Sequence, residues 1–113
     1  MSEQIYKKAV TGKFKGKPPN GYYLTENLKI PGGKGGYGRR IKISTSHPCI
    51  VGIIDMAQDV APFQYYVERV LIDAFPYKIK SNSELMFAVR PLTEFEGEGT
   101  IAIEIEWMWG RTR

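Results

Sequence analysis

The chain has 113 residues, of which 42% are hydrophobic and 25% charged. That length holds one domain with its own core and excludes multidomain enzymes, full TIM barrels and complete kinase folds. The net charge of +4 is unevenly spread: residues 1–40 carry nine basic and two acidic side chains, whereas residues 41–113 carry seven basic and ten acidic.

A basic front of this kind attracts phosphates, acidic surfaces or the acidic side of a neighbour. The start, Met1-Ser2-Glu3-Gln4, lacks the cationic-then-apolar pattern of a signal peptide, so secretion by that route is not expected. The longest apolar run, Cys49 to Ile54, is far short of the ~20 residues that span a bilayer, so no membrane partner is expected.

Residues 1–21 read as a basic, flexible arm. Lys7, Lys8, Lys13, Lys15 and Lys17 alternate there with Gly12, Gly16, Pro18, Pro19 and Gly21, and like charge with low apolar content disfavours compaction. Residues 22–113 read as the folded body. Tyr22 to Leu24 and Leu28 to Ile30 are expected as short strand pieces. Pro31 to Gly38 holds five glycines in eight residues and reads as a loop. Its Gly33-Lys34-Gly35-Gly36-Tyr37-Gly38 matches G-x-G-x-x-G. A dinucleotide site needs a helix next, yet Arg39 to Ser44 alternates like a strand, so a hairpin loop is the better reading.

In that strand Ile41 and Ile43 share one face, and Arg40, Lys42 and Ser44 the other. His47-Pro48-Cys49 places an imidazole near the single thiol. A zinc site needs about four ligands, and a Cys–His nucleophile needs both side chains to meet beside an orienting group, so Cys49 reads as buried. Ile50 to Ile54 is apolar on both faces and suits a central strand. Residues 59–75 are ambiguous. Phe63, Val67, Val70 and Ala74 fall at helical spacing with Asp59 as a cap, but Tyr65, Tyr66, Val67, Val70 and Ile72 are β-formers, and a strand over 64–72 is favoured over a short helix around 60–75.

Residues 76–80 and 85–90 read as further strands. The loop from Thr93 to Gly99 carries Glu94, Glu96 and Glu98 without the spacing of a calcium loop. Thr100 to Trp109 alternates over ten residues: Ile101, Ile103, Ile105, Trp107 and Trp109 on one face, Ala102, Glu104, Glu106 and Met108 on the other. Glu104 and Glu106 fit a cross-strand ladder with Lys78, Lys80 or Arg90 better than a carboxylate pair for glycoside chemistry.

Six or seven short strands with turns between them give an all-β fold: a single-domain antiparallel β-sandwich, jelly-roll-like, or a small barrel, with a basic, irregular N-terminal arm. No catalytic residues, metal or cofactor are expected. The main functional signal is aromatic and basic interleaving. Tyr6, Phe14, Tyr22, Tyr23 and Tyr37 lie among the lysines and near Arg39 and Arg40, a mixture that holds single-stranded nucleic acid.

The candidate contact residues are therefore Lys7, Lys8, Lys13, Lys15 and Lys17 of the arm. A second patch comprises Tyr22, Tyr23, Lys34, Tyr37, Arg39 and Arg40. A basic arm on a compact β body resembles the plan of the small β-sandwich subunits of virus particles. That resemblance implies a non-catalytic coat, decoration or tail component, found in a virion or the cytoplasm. Its partners would be copies of itself, other particle subunits or nucleic acid. The two rival expectations are a single-strand binder with an OB-like barrel, and a carbohydrate- or receptor-binding sandwich with Tyr65, Tyr66 and Tyr77 as platforms.

Overall fold

The computed structural model describes residues 4–17, 22–25, 28–29, 36–80 and 84–109. Expectations for Lys34, the glycines at 32–35, residues 18–21 and the C-terminal tail lie outside them. The described residues form strands joined by turns and loops, with no helix among them. The strands are β1 (Gln4–Lys15), β2 (Tyr23–Leu24), β3 (Leu28–Lys29), β4 (Gly36–Thr45), β5 (Cys49–Asp55), β6 (Val60–Val67), β7 (Val70–Ala74), β8 (Lys78–Ile79), β9 (Glu84–Pro91) and β10 (Glu98–Trp109).

They pair into two antiparallel sheets. Sheet A has the order β1-β10-β4-β7, with β8 also on β4; sheet B has the order β2-β9-β5-β6, with β3 also on β9. β2 and β3 follow one another along β9 and fill one strand position, as β7 and β8 do along β4. Eight positions remain, ordered 1-8-3-6 and 2-7-4-5, which is a jelly-roll sandwich. The small barrel, and with it an OB-like barrel, is thereby replaced by two separate sheets.

Period-two alternation builds the core. β10 turns Ile101, Ile103, Ile105 and Trp107 inward, β4 turns Ile41 and Ile43, β5 turns Cys49, Val51 and Ile53, and β9 turns Leu85, Phe87 and Val89; all are buried. Trp107, Phe14, Phe75 and Phe87 are the largest fully buried side chains. Each fully buried side chain of this class contributes about 1.5–3 kcal/mol relative to exposure.

Two expectations are corrected. The stretch from Lys7 to Lys15 is not irregular: it belongs to a twelve-residue strand registered along β10 from Gln4↔Trp109 to Lys15↔Glu98. Val10 and Phe14 are buried and Tyr6 packs on the core, whereas Lys7, Lys13 and Lys15 point outward. Lysines suit an edge strand because they deter pairing with a further chain.

Nor do residues 60–75 form a helix or one strand over 64–72. β6 ends at Val67, the chain turns at Glu68-Arg69, and β7 continues in the other sheet. The helical spacing arose because the two halves face different ways: Val67 points into the core, whereas Val70 and Ala74 are exposed. Asp59 is no helix cap. It sits at φ 55° in the turn between β5 and β6, a left-handed conformation that Asp tolerates.

Candidate functional site

The basic residues gather most densely on the outer face of sheet A, around Glu106. This carboxylate has outward parity on β10, yet its side chain is only 10% exposed because three cations cover it. Arg40 NH2 reaches Oε1 at 3.2 Å, Lys7 Nζ reaches the same oxygen at 3.7 Å, and Arg39 NH1 reaches Oε2 at 3.7 Å. Simple alternation would put Arg39 and Arg40 on opposite faces. The register shifts between Glu106 and Trp107, so that Glu106 opposes Arg40 and Trp107 opposes Gly38, leaving Arg39 as the extra residue of a bulge. The bulge aims both guanidinium groups at one acid.

Gly38 makes room for this turn of the strand: a Cβ there would lie 2.2 Å from the Phe75 carbonyl oxygen. Three cations against one carboxylate leave the cluster positively charged.

The ladder on this face therefore differs in its partners from the expected one. Glu104 lies opposite Lys42, and Glu106 opposite Lys7 and Arg40; Lys78, Lys80 and Arg90 are not registered with either. Farther along the face lies an open trough of about 710 Å³. It is lined by the hydroxyl residues Thr11, Ser44, Ser46 and Thr100 and by Lys13 and Arg69, with no carboxylate among its lining residues. Lys15 and Lys17 lie beside the Glu94–Gly97 loop, where Lys17 pairs with Glu94 at 3.3 Å, both largely exposed. Lys8 is exposed on β1.

The aromatic half of the expected binding surface is largely absorbed by the core. The Tyr6 ring packs on Trp107 with centroids 5.7 Å apart, Phe14 is buried edge-on to Phe95, and Tyr23 packs against the core. Of that group Tyr22 and Tyr37 remain exposed. The sugar-platform tyrosines divide likewise. Tyr65 is buried and donates to the Ala74 carbonyl, and burial, helped by Asp73, pushes its hydroxyl up to about 12. Tyr77 donates to Asp55, whereas Tyr66 alone of the three is open.

His47 and Cys49 hold different partners. His47 stacks on Phe95 with centroids 3.7 Å apart, and its Nδ1 lies 2.8 Å from Ser46 Oγ, which also accepts from the Thr100 amide. The Cys49 thiol is fully buried beside Thr45 Oγ1, and burial raises its pKa. No group of three His, Cys, Asp or Glu residues that could hold a metal occurs among the described residues.

Sequence reasoning missed Asp55. It is fully buried, accepts from Tyr77 Oη at 2.6 Å, Gln58 Nε2 at 2.7 Å and the Ala57 amide at 3.1 Å, and so clamps the turn after β5. Burial and the contact with this carboxylate push the Tyr77 hydroxyl well above the usual tyrosine range. The signal was present: Asp55 continues the inward series Cys49, Val51, Ile53, where an acid must find partners.

Fold and surface together define a jelly-roll sandwich with a charged face on sheet A. No family model matches the chain, and no curated protein matches it. Solved structures do. A chain of the capsid asymmetric unit of cyanophage Pam1 superposes with a TM-score of 0.65 at 10% identity, covering 96% of this chain and 86% of that one. A chain from the acid-stable capsid of Helicobacter pylori bacteriophage KHP30 gives 0.52 at 12% identity, covering 97% and 100%. At such identities the likeness is one of fold.

Proposed function

We propose that the chain is a non-catalytic structural subunit of a virus particle, held there by contacts with copies of itself or with other particle subunits. The observation that supports this reading most is the match of nearly the whole backbone to two phage capsid chains. A jelly roll with two broad outer faces provides surfaces for lateral and stacking contacts, which is what a shell or its decoration requires. The cations of sheet A, chiefly Lys7, Arg39, Arg40 and Lys13, are proposed to meet an acidic neighbour or nucleic acid in the particle.

The test is membership of the particle. In density-gradient-purified particles from a culture whose genome encodes the chain, it should be present in fixed ratio to the major shell protein. Its recovery only in particle-free fractions overturns the proposal. Oligonucleotide binding at two salt concentrations separates the partners of the basic face, because phosphate contacts weaken steeply with salt.

A further inference from the structure

The outer face of sheet B is apolar where a two-layer sandwich meets solvent. Its central strands β5 and β9 turn Ile50, Gly52, Ile54, Met86 and Ala88 to this side, all partly exposed, and the edge strands add Leu24 beside Ala88, Tyr66 beside Ile50 and one polar side chain, Gln64, beside Gly52. Leu24 and Tyr66 are at least half exposed. No described strand is layered over the face. An antiparallel sheet with one solvated face normally alternates apolar with polar residues. Charge on β5 and β9 is confined here to the two ends of β9, Glu84 and Arg90.

Gly52 stands at the centre. Its φ lies outside the left-handed range, and a Cβ added to it would meet nothing within 4 Å. Neither conformation nor crowding within the chain calls for glycine, and glycine weakens a strand interior. A strand glycine accompanies a bulge, a bend or the close approach of another backbone. The irregularity of β5 against β6 falls beyond Gly52, between Ile53 and Asp55, and Gly52 is regularly paired on both sides, which leaves close approach.

We propose that this face packs on the same face of a second copy of the chain, about a two-fold axis near Gly52. Two features favour a second copy. Along β5 the order Ile50, Gly52, Ile54 is ridge, hollow, ridge, so a copy reversed about the level of Ile53 and Phe87, one residue from Gly52, sets its Ile54 against the hollow of the first. Glu84 and Arg90 are six residues apart, roughly 20 Å along β9 at the rise of a strand. A two-fold reversal brings the acidic end of β9 in one copy to the basic end in the other. Four strands about 4.8 Å apart and seven residues long give a footprint of roughly 450 Å². That is below the ~800 Å² per partner of a standard interface, so the dimer should have micromolar strength. The proposal rests on the particle-subunit reading and deepens it by naming one contact and its partner. Dimerisation is read on the isolated chain and particle membership on particles, so either can fail alone.

Sedimentation velocity of the full chain tests the contact. The wild type should move from the 12.8 kDa monomer to twice that mass as concentration rises. Gly52→Lys should remain monomeric with an unchanged circular dichroism melt, since its side chain enters open space in the monomer. Ala9→Lys, on the outer face of sheet A, should dimerise like the wild type. Arg90→Glu should weaken the dimer roughly tenfold, and Glu84→Arg added to it should restore the affinity. A wild type that stays monomeric at about 100 μM, where a micromolar contact is filled, overturns the proposal. So does a Gly52→Lys chain as dimeric as the wild type, and a double swap that restores nothing overturns the two-fold arrangement.

Discussion

The two outer faces of the sandwich come from the same alternation and end in opposite chemistry. On sheet A the central strands β10 and β4 turn out Glu104, Glu106, Arg40, Lys42 and Ser44, and the acid at 106 is wrapped by three cations. On sheet B the central strands turn out Ile50, Ile54, Met86 and Ala88. Both sheets turn a mainly apolar side inward, with Asp55 as the buried acid of sheet B. The outer side is where the sequence is free to choose, and it has chosen water for one face and an apolar surface for the other.

The largest expected effect checks that inner and outer sides of sheet B are distinct. Phe87→Ala should cost about 3–5 kcal/mol in urea unfolding, as a fully buried aromatic does. Met86→Ala, next to it on the outer side, should cost below about 1 kcal/mol when measured on dilute monomer. Equal costs would make the outer face a second core and break the comparison.

Glu106→Gln comes next. It leaves Lys7, Arg39 and Arg40 facing one another and should destabilise by about 1–2 kcal/mol at low salt, shrinking in 1 M NaCl, because the cations are half exposed and screened. Glu104→Gln on the same face should stay within about 0.5 kcal/mol. A salt-independent loss at Glu106 would mean packing, not charge, holds that face.

A smaller effect appears in alkali. Tyr65 ionises near 10 when unfolded and near 12 when folded, so the folded state keeps its proton longer. Its contribution is complete below pH 10 and is lost as pH rises through 12. Tyr65→Phe should flatten the decline of stability over that window, read from urea midpoints at successive pH values.

How much was legible followed from how cleanly each strand alternates. β10 and β4 were plain, because isoleucines sit at every second residue. β1 was hidden: lysine takes its outward positions, Lys8 and Gly12 interrupt the inward series Tyr6, Val10, Phe14, and composition outweighed period. The break at Glu68-Arg69 escaped because β-formers continue on both sides while the chain changes sheets. The Glu106 cluster could not be read at all, since it joins residues 66 and more positions apart through a bulge that only pairing reveals. Ile50 to Ile54 was correctly read as central. Centrality alone accounts for an apolar outer side only where another layer covers it, and no described strand is layered over this one.

Cys49 has a consequence of another kind. The thiol is sealed in the core beside Thr45, and burial holds it in its unreactive protonated form. A thiol reagent can meet it only when the two sheets part around β5 or β5 leaves its neighbours β6 and β9. The chain thus carries its own clock for opening. Labelling proceeds at the rate at which the sandwich breathes, and anything that covers a face and slows that breathing will slow the clock with it.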